Sequence, residues 1–287
     1  VTETVLVLLI KLAAKIPLWL ADQLAVILGN IIYWLPIREN KISKKNLDLV
    51  FADKGIAFRN RLRKKSLIET GKALLETPRI WYSPPKEIDN LIAQICGKDL
   101  VDQAFANSKG VILVSPHIGS WELMGIWLSI NYPVTSLFRK IDFPKINALV
   151  KKSRESLGAN LVPNTNKGVI SLIQSLRQGK VTGVLPDHDP GAAGSVFVDF
   201  FGILTRTSTL VPKLAQKTGA KVLMAYVLRL DSKHQFKLIF KKPDVKIYDE
   251  NLKVSARALN QELETIILAK PEQYLWSYNR FKARPGD

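Results

Sequence analysis

Only three histidines occur in the 287 residues, and two of them stand beside carboxylates directly after short apolar runs. In the first, Val111-Ile-Leu-Val114 leads into Ser115-Pro116-His117-Ile118-Gly119-Ser120-Trp121-Glu122. In the second, Val181–Leu185 leads into Pro186-Asp187-His188-Asp189-Pro190-Gly191. Imidazole is the side chain that exchanges a proton near neutrality. A carboxylate beside it fixes the ring's tautomer and stabilises the imidazolium, which is what a general base acting on a hydroxyl group requires. The first candidates are therefore His117 and Glu122. Within one continuous helix, five positions would set their side chains about 140° apart. Pairing thus needs His117 to precede the helix and the turn to fold it back. The spacing alone is weak, since such a match arises by chance in roughly a quarter of chains of this composition; a structural histidine is the rival reading.

The elements that must position these groups are legible from pattern. Val111–Val114 is short, apolar and followed by turn-formers, as a buried strand should be. Ser120 is the expected N-cap of a helix starting at Trp121 and carrying Leu123, Ile126 and Trp127 inward. His117 then lies between a strand's C-terminal end and a helix's N-terminal end, where α/β sheets bind ligands and free N–H groups favour negative charge. Val181–Leu185 reads as a second buried strand, so its Asp187-His188-Asp189 cluster would face the same site; a mere turn is the alternative. Further strands are expected at Val134–Leu137, Lys221–Leu230 and Gln235–Phe240. Residues 57–77 form a basic helix, and residues 86–106 read as two short helices. Ile146, Leu149, Val150 and Leu157 mark another helix, with Arg154 on its buried stripe, either snorkelling or aimed at an anion. Val169–Leu176 gives a helix stopped by Gly179. Thr205, Thr207, Ser208 and Thr209 are capping candidates for a helix to Thr218, and Leu252–Ile266 a last helix before Pro271. Strands and helices in alternation predict an α/β fold, a central mostly parallel sheet flanked by helices.

Charge and composition narrow the function. The formal net charge is +17, with 47% hydrophobic residues, which fits nucleic acid, an anionic membrane face or an acidic partner. No helix-turn-helix, zinc-finger or aromatic–glycine RNA-binding signature is present. The lone cysteine, Cys96, excludes an internal disulfide framework, and no structural zinc pattern occurs. Residues 4–36 are mostly apolar but broken by Lys11, Lys15, Asp22, Gln23 and Asn30, so no uninterrupted span of ~20 apolar residues exists there. No small-residue cleavage site follows, so a removed signal peptide is not expected. Trp19, Tyr33 and Trp34 suit a headgroup boundary, and Arg38, Lys41, Lys44 and Lys45 follow at once. Residues 1–40 are accordingly expected to anchor the chain to the inner, cytoplasmic membrane, with residues 41–287 as the catalytic domain facing the cytoplasm. A buried helical hairpin is the alternative.

These residues together resemble the late acyltransferases of lipid A assembly, the lauroyl/myristoyl type within the lysophospholipid acyltransferase superfamily. The resemblance rests on the N-terminal segment, His117-x4-Glu122, the Arg139 and Arg154 region, Pro186-Asp187-His188-Asp189, Val196-Phe197-Val198 with Phe200-Phe201-Gly202, and the tail Glu272–Pro285. Two departures are Ser277-Tyr278-Asn279, where a His-Arg pair is frequent, and Phe138-Arg139-Lys140, where Tyr-Arg-Pro is usual. The resemblance implies transfer of a fatty acyl chain from an acyl carrier protein or coenzyme A thioester to a hydroxyl of a phosphorylated glycolipid. Thiolate is a good leaving group, so no cofactor or metal is required, although His117 and His188 leave a catalytic metal open. The resemblance places the His–carboxylate dyad on His117 and Glu122 and further site residues on Arg154 and Asp187. Arg139, Arg154 and Arg280 are candidates for holding phosphates, with His188 and Asp189 as further substrate contacts. Ser115 and Ser120 leave a serine nucleophile open beside direct transfer. Two other readings stand beside this one. One is acylation of another glycolipid, such as a mannosylated phosphoinositide, or of a lysoglycerophospholipid, although for the latter Asp in the dyad and a Glu-Gly-Thr motif are missing. The other is a basic, membrane-tethered protein that binds nucleic acid or lipid.

Overall fold

The computed structural model describes residues 2–106, 109–231 and 234–283. Helices α1 (Glu3–Ala13), α2 (Leu18–Trp34), α3 (Arg38–Val50), α4 (Ile56–Tyr82) and α5 (Pro85–Leu91) come first. Then β1 (Ile92–Cys96) and α6 (Lys98–Ala106) lead into β2 (Val111–Val114), α7 (Trp121–Asn131) and β3 (Thr135–Phe138). Next come α8 (Pro144–Glu155), β4 (Asn160–Pro163), α9 (Asn166–Arg177) and β5 (Val181–Val184). The hairpin β6 (Ser195–Phe200) and β7 (Ile203–Ser208) precedes α10 (Leu210–Thr218), β8 (Lys221–Arg229), β9 (Phe236–Lys241) and α11 (Leu252–Ala269).

The principal sheet has the order β1-β9-β8-β2-β5 and is parallel except at the β8–β9 pair. Strand β2 is buried along its whole length because successive side chains enter opposite cores. Ile112 and Val114 join Val222 and Met224 against α9, α10 and α11. Val111 and Leu113 join Leu223 and Ala225 against α6 and α7. A strand that feeds two cores must be apolar throughout, and Val-Ile-Leu-Val is. A small parallel pair, β3 with β4, extends the sheet beyond β5 through a single bridge, Val134 to Val181.

This is the expected layered α/β fold, with two local differences. Between α5 and α6 lies the strand β1, four of its five residues exposed; an edge strand without an inward apolar face leaves no alternation to read. Thr205, Thr207 and Ser208 belong to β7; Thr209 holds the N-cap position of α10, and the Ser208 hydroxyl accepts from the Leu210 N–H at its start. In the tail, Arg284 and Pro285 lie outside the described residues.

The N-terminal segment packs on the rest of the chain rather than standing apart. Helix α2 turns Ala21, Ala25 and Gly29 inward, and Gly29 lets it approach so closely that an added Cβ would lie 2.6 Å from the Ile68 side chain of α4. Among the described residues, no single helix is long and apolar enough to cross a membrane; α2 with α3 passes only as a pair bent by 78°. The opposite face stays bare, with Leu8, Leu9, Leu12, Trp19, Ile27, Ile31 and Trp34 exposed. The close approach is testable: Gly29→Val should lower stability by about 1–3 kcal/mol through overpacking. Thermal unfolding read by circular dichroism measures this, and an unshifted midpoint would refute the α2–α4 contact.

Candidate active site

The site forms because β2 and β5 run parallel in register, Val114 opposite Val184. Three residues beyond each, the chain presents His117 and Asp187 to one another. The His117 Nδ1 lies 2.8 Å from Asp187 Oδ1, and the His117 backbone N–H donates to Asp187 Oδ2 at 2.9 Å. Asp187 is buried, 1% exposed. Burial opposes its charge, but the attraction and hydrogen bonds of His117, with His188 nearby, hold the carboxyl well below the usual carboxylate range. Tyr274 bonds to the same carboxylate, and burial followed by that negative charge raises its phenol well above the ordinary value.

The loop carrying His117 is fastened on several sides. Gly119 takes φ +56°, and a Cβ there would overlap the Val227 carbonyl oxygen, so only glycine fits. Its N–H donates to the Gln273 carbonyl, the Ser120 N–H donates to Val227, and Leu275 N–H donates to the His117 carbonyl. Arg229, buried and bonded to Glu76 at 2.5 and 3.0 Å, also donates to the Gly119 carbonyl at 3.1 Å. The Ser115 hydroxyl is turned to the Pro116 carbonyl.

Rings complete the surroundings. His188 stacks on His117 with centroids 3.8 Å apart and planes 5° apart, and on its other face stacks on Tyr278 at 3.6 Å and 9°. Trp121 meets His117 edge-on at 5.5 Å. Burial, then the neighbouring His117, push the His188 pKa down from 6.5 to about 4, against the pull of Asp187. His117, Asp187 and His188 each offer a ligand atom within 4.8 Å of the others. Imidazole lone pairs lie in the ring plane, however, and two parallel planes 3.8 Å apart cannot both converge on one ion at the ~2.0–2.1 Å that a zinc–nitrogen bond requires.

Glu122 is elsewhere engaged. It accepts from Trp81 Nε1 at 2.9 Å and from Arg154 Nε at 3.3 Å, and pairs closely with Arg154 Nη2. The structure sets Asp187, rather than Glu122, against the His117 ring. As the second residue of α7, Glu122 faces α4 and α8, whereas the turn sends the imidazole toward β5. Arg154 also lies 5.9 Å above the Phe138 ring. Arg280 is engaged within the fold. It is 2% exposed, its guanidinium donates to Thr205, Thr207 and the Arg206 carbonyl, and it lies over Phe200. It ties the tail to β7 rather than standing free for a phosphate. Asp189 accepts from the Gly191 N–H and sits near Arg206 and Lys282, which makes it a turn-builder. Arg139 is exposed just past β3, at the sheet edge that carries His117. Sequence reasoning missed Trp81, Arg229, Gln273 and Tyr274; the tail motif signalled the last two without a role.

The comparisons can now be set beside this geometry. A family model described as bacterial lipid A biosynthesis acyltransferase matches residues 2–283. The chain belongs to that family. It is similar to the lipid A biosynthesis lauroyltransferase of Escherichia coli K12, 28% identical over 96% of this chain and 89% of that protein. The palmitoleoyltransferase of the same organism is 28% identical over 86% of this chain and 80% of its own. The myristoyltransferase is 25% identical over 84% and 75%. The protein is an acyltransferase, which removes the reading as a basic binding protein. The match to lipid A acyltransferases also leaves the lysoglycerophospholipid reading without support.

The stacked His188 has a consequence for stability in this acyltransferase. An unfolded chain takes up a proton on His188 near pH 6.5, the folded one only near 4, so stability is full above 6.5 and declines as pH falls toward 4. The loss across that window is up to roughly 3 kcal/mol. Urea unfolding as a function of pH should show this decline, and His188→Phe, which keeps a ring in the stack, should flatten it. An equal slope in the variant would contradict the assignment.

Proposed function

We propose that the chain moves a fatty acyl group from a thioester of acyl carrier protein or coenzyme A to a hydroxyl of a lipid A precursor, with His117 as general base and Asp187 as its orienting partner. The observation that carries the reading is the 2.8 Å contact between His117 Nδ1 and Asp187. With Nδ1–H given to the carboxylate, Nε2 keeps its lone pair, and among the described residues it has no hydrogen-bond partner. Nε2 takes the acceptor's hydroxyl proton as that oxygen attacks the thioester carbonyl. The tetrahedral intermediate collapses, the C–S bond breaks, and the proton passes to the departing sulfur. A positioned base of this kind is worth typically 10²–10⁴-fold. The amide N–H groups of Trp121, Glu122 and Leu123, at the free end of α7, have no acceptor among the described residues and supply donors for the oxyanion. Thiolate is a good leaving group, so the direct route needs no serine ester.

Glu122 serves in this reading by holding Arg154, which together with Arg139 engages acceptor phosphate; a guanidinium fork fits such oxygens where lysine does so poorly. The bare apolar side of α1 and α2 lies in the membrane interface, with Arg38, Lys41, Lys44 and Lys45 against anionic headgroups. The acceptor then reaches the site from the inner membrane, and residues 41–287 work on its cytoplasmic side. The positive surface draws in the acidic carrier protein.

Two outcomes are expected. With labelled donor and membrane-delivered acceptor, His117→Ala and Asp187→Asn should each lower kcat by at least about 10²-fold while the protein stays folded. Full activity in Asp187→Asn, with loss in Glu122→Gln, would return the orienting role to Glu122. In flotation, the protein should bind vesicles containing about one third phosphatidylglycerol and be released from them as salt rises, because exposed charges are screened. Absence of vesicle binding at low salt would contradict the interfacial placement.

A further inference from the structure

Two glycines in regular elements are not required by the fold. Gly125 lies inside α7 and Gly183 inside β5, and neither has a positive φ. A Cβ added at Gly125 would meet nothing within 4 Å, and one at Gly183 would meet only the Ser136 hydroxyl at 3.9 Å. The contrast with Gly119 and Gly29, where the neighbouring backbone or side chain forbids a methyl, is direct. An interior helical glycine is about 1 kcal/mol worse than alanine, and a glycine within a strand marks a place where something approaches closely.

Both glycines open onto one cavity of about 140 Å³. It occupies a fork in the sheet: the chain bridges to β5 at Val134–Val181 just before β3, which then pairs with β4. Leu128, Leu137, Leu161 and Leu185 give it hydrocarbon walls, and the Glu122–Arg154 pair gives it one polar end. An engineered apolar cavity of about 150 Å³ holds benzene, so this one has room for about six carbon atoms. The helix that forms one wall is the helix whose N-terminus adjoins His117.

We propose that this cavity receives the end of a fatty acyl chain of a lipid substrate, and that Gly125 and Gly183 set its bore and hence the chain length accepted. The inference rests on the acyl transfer described above. A side chain at either position would occupy space that the last carbons of the chain fill. Each methylene so displaced should cost about fourfold in kcat/KM.

The test uses the full chain in vesicles with two series. In one, decanoyl, dodecanoyl, tetradecanoyl and hexadecanoyl thioesters of acyl carrier protein are compared at a fixed lipid A precursor. In the other, the donor is fixed and the acceptor's own chains vary in length. For Gly125→Ala and Gly183→Ala the long-to-short ratio of kcat/KM should fall about fourfold, and for Gly125→Leu tenfold or more. A change in the donor series assigns the cavity to the transferred chain, and a change in the acceptor series to the acceptor. Ratios equal to wild type in both series would overturn the proposal. Gly125→Ala should also raise the unfolding midpoint; a lowered midpoint would show that the glycine serves folding and overturn the argument. A wild-type protein that transfers from no thioester would instead defeat the reading on which the inference rests.

Discussion

The arrangement depends on one register. Because β2 and β5 are parallel neighbours with Val114 opposite Val184, the two loops that leave the sheet arrive with an imidazole and a buried carboxylate face to face. A shift of one residue would turn Asp187 to the other side of its strand and leave a charge in an apolar core. The carboxylate tolerates its burial chiefly because His117 supplies both a ring nitrogen and a backbone N–H, with Tyr274 and His188 beside it. Folding and chemistry therefore place the same demand on the same pair. The surrounding fastenings serve that demand: Gly119 against Val227, Gln273 against the loop, Arg229 reaching from the ion pair with Glu76.

Much of this was legible from residue order. The apolar runs before His117 and Asp187 identify two strands ending in polar clusters, and parallel topology requires both clusters at one edge. The spacing to Glu122 is local and does not reveal the ring's partner in space. A carboxylate five residues away is visible in one dimension, whereas Asp187, seventy residues on, becomes a neighbour only through strand pairing. The burial of Arg280 was hidden for a related reason: a charged residue in a polar tail looks available until β7 closes over it. Edge strand β1 left no trace because its residues face solvent, and no periodic pattern records an unburied strand. The Trp81 contact with Glu122 needs the packing of α4 on α7, which no motif encodes.

The polar machinery and the apolar surfaces are arranged around α7. Its first turn carries Glu122 and unsatisfied N–H groups, its buried face fills one core, and Gly125 opens the cavity in the sheet's fork. Helices α1 and α2 add an exposed apolar side outside both cores. On the proposed reading, a lipid substrate meets apolar surface on approach and along most of its chain, with the Glu122–Arg154 pair at one end of the cavity. The neutral, stacked His188 suits that division, since a second imidazolium beside His117 would oppose the proton that the base must accept.

Where one proton resides on the His117 ring decides which carboxylate orients it, and nitrogen-15 NMR of histidine-labelled protein reads this directly. Neutral His117 should carry its proton on Nδ1, with a low-field proton resonance that disappears in Asp187→Asn and persists in Glu122→Gln. A His117 ring protonated on Nε2, or a low-field resonance lost with Glu122 and kept without Asp187, would contradict Asp187 as the ring's orienting partner.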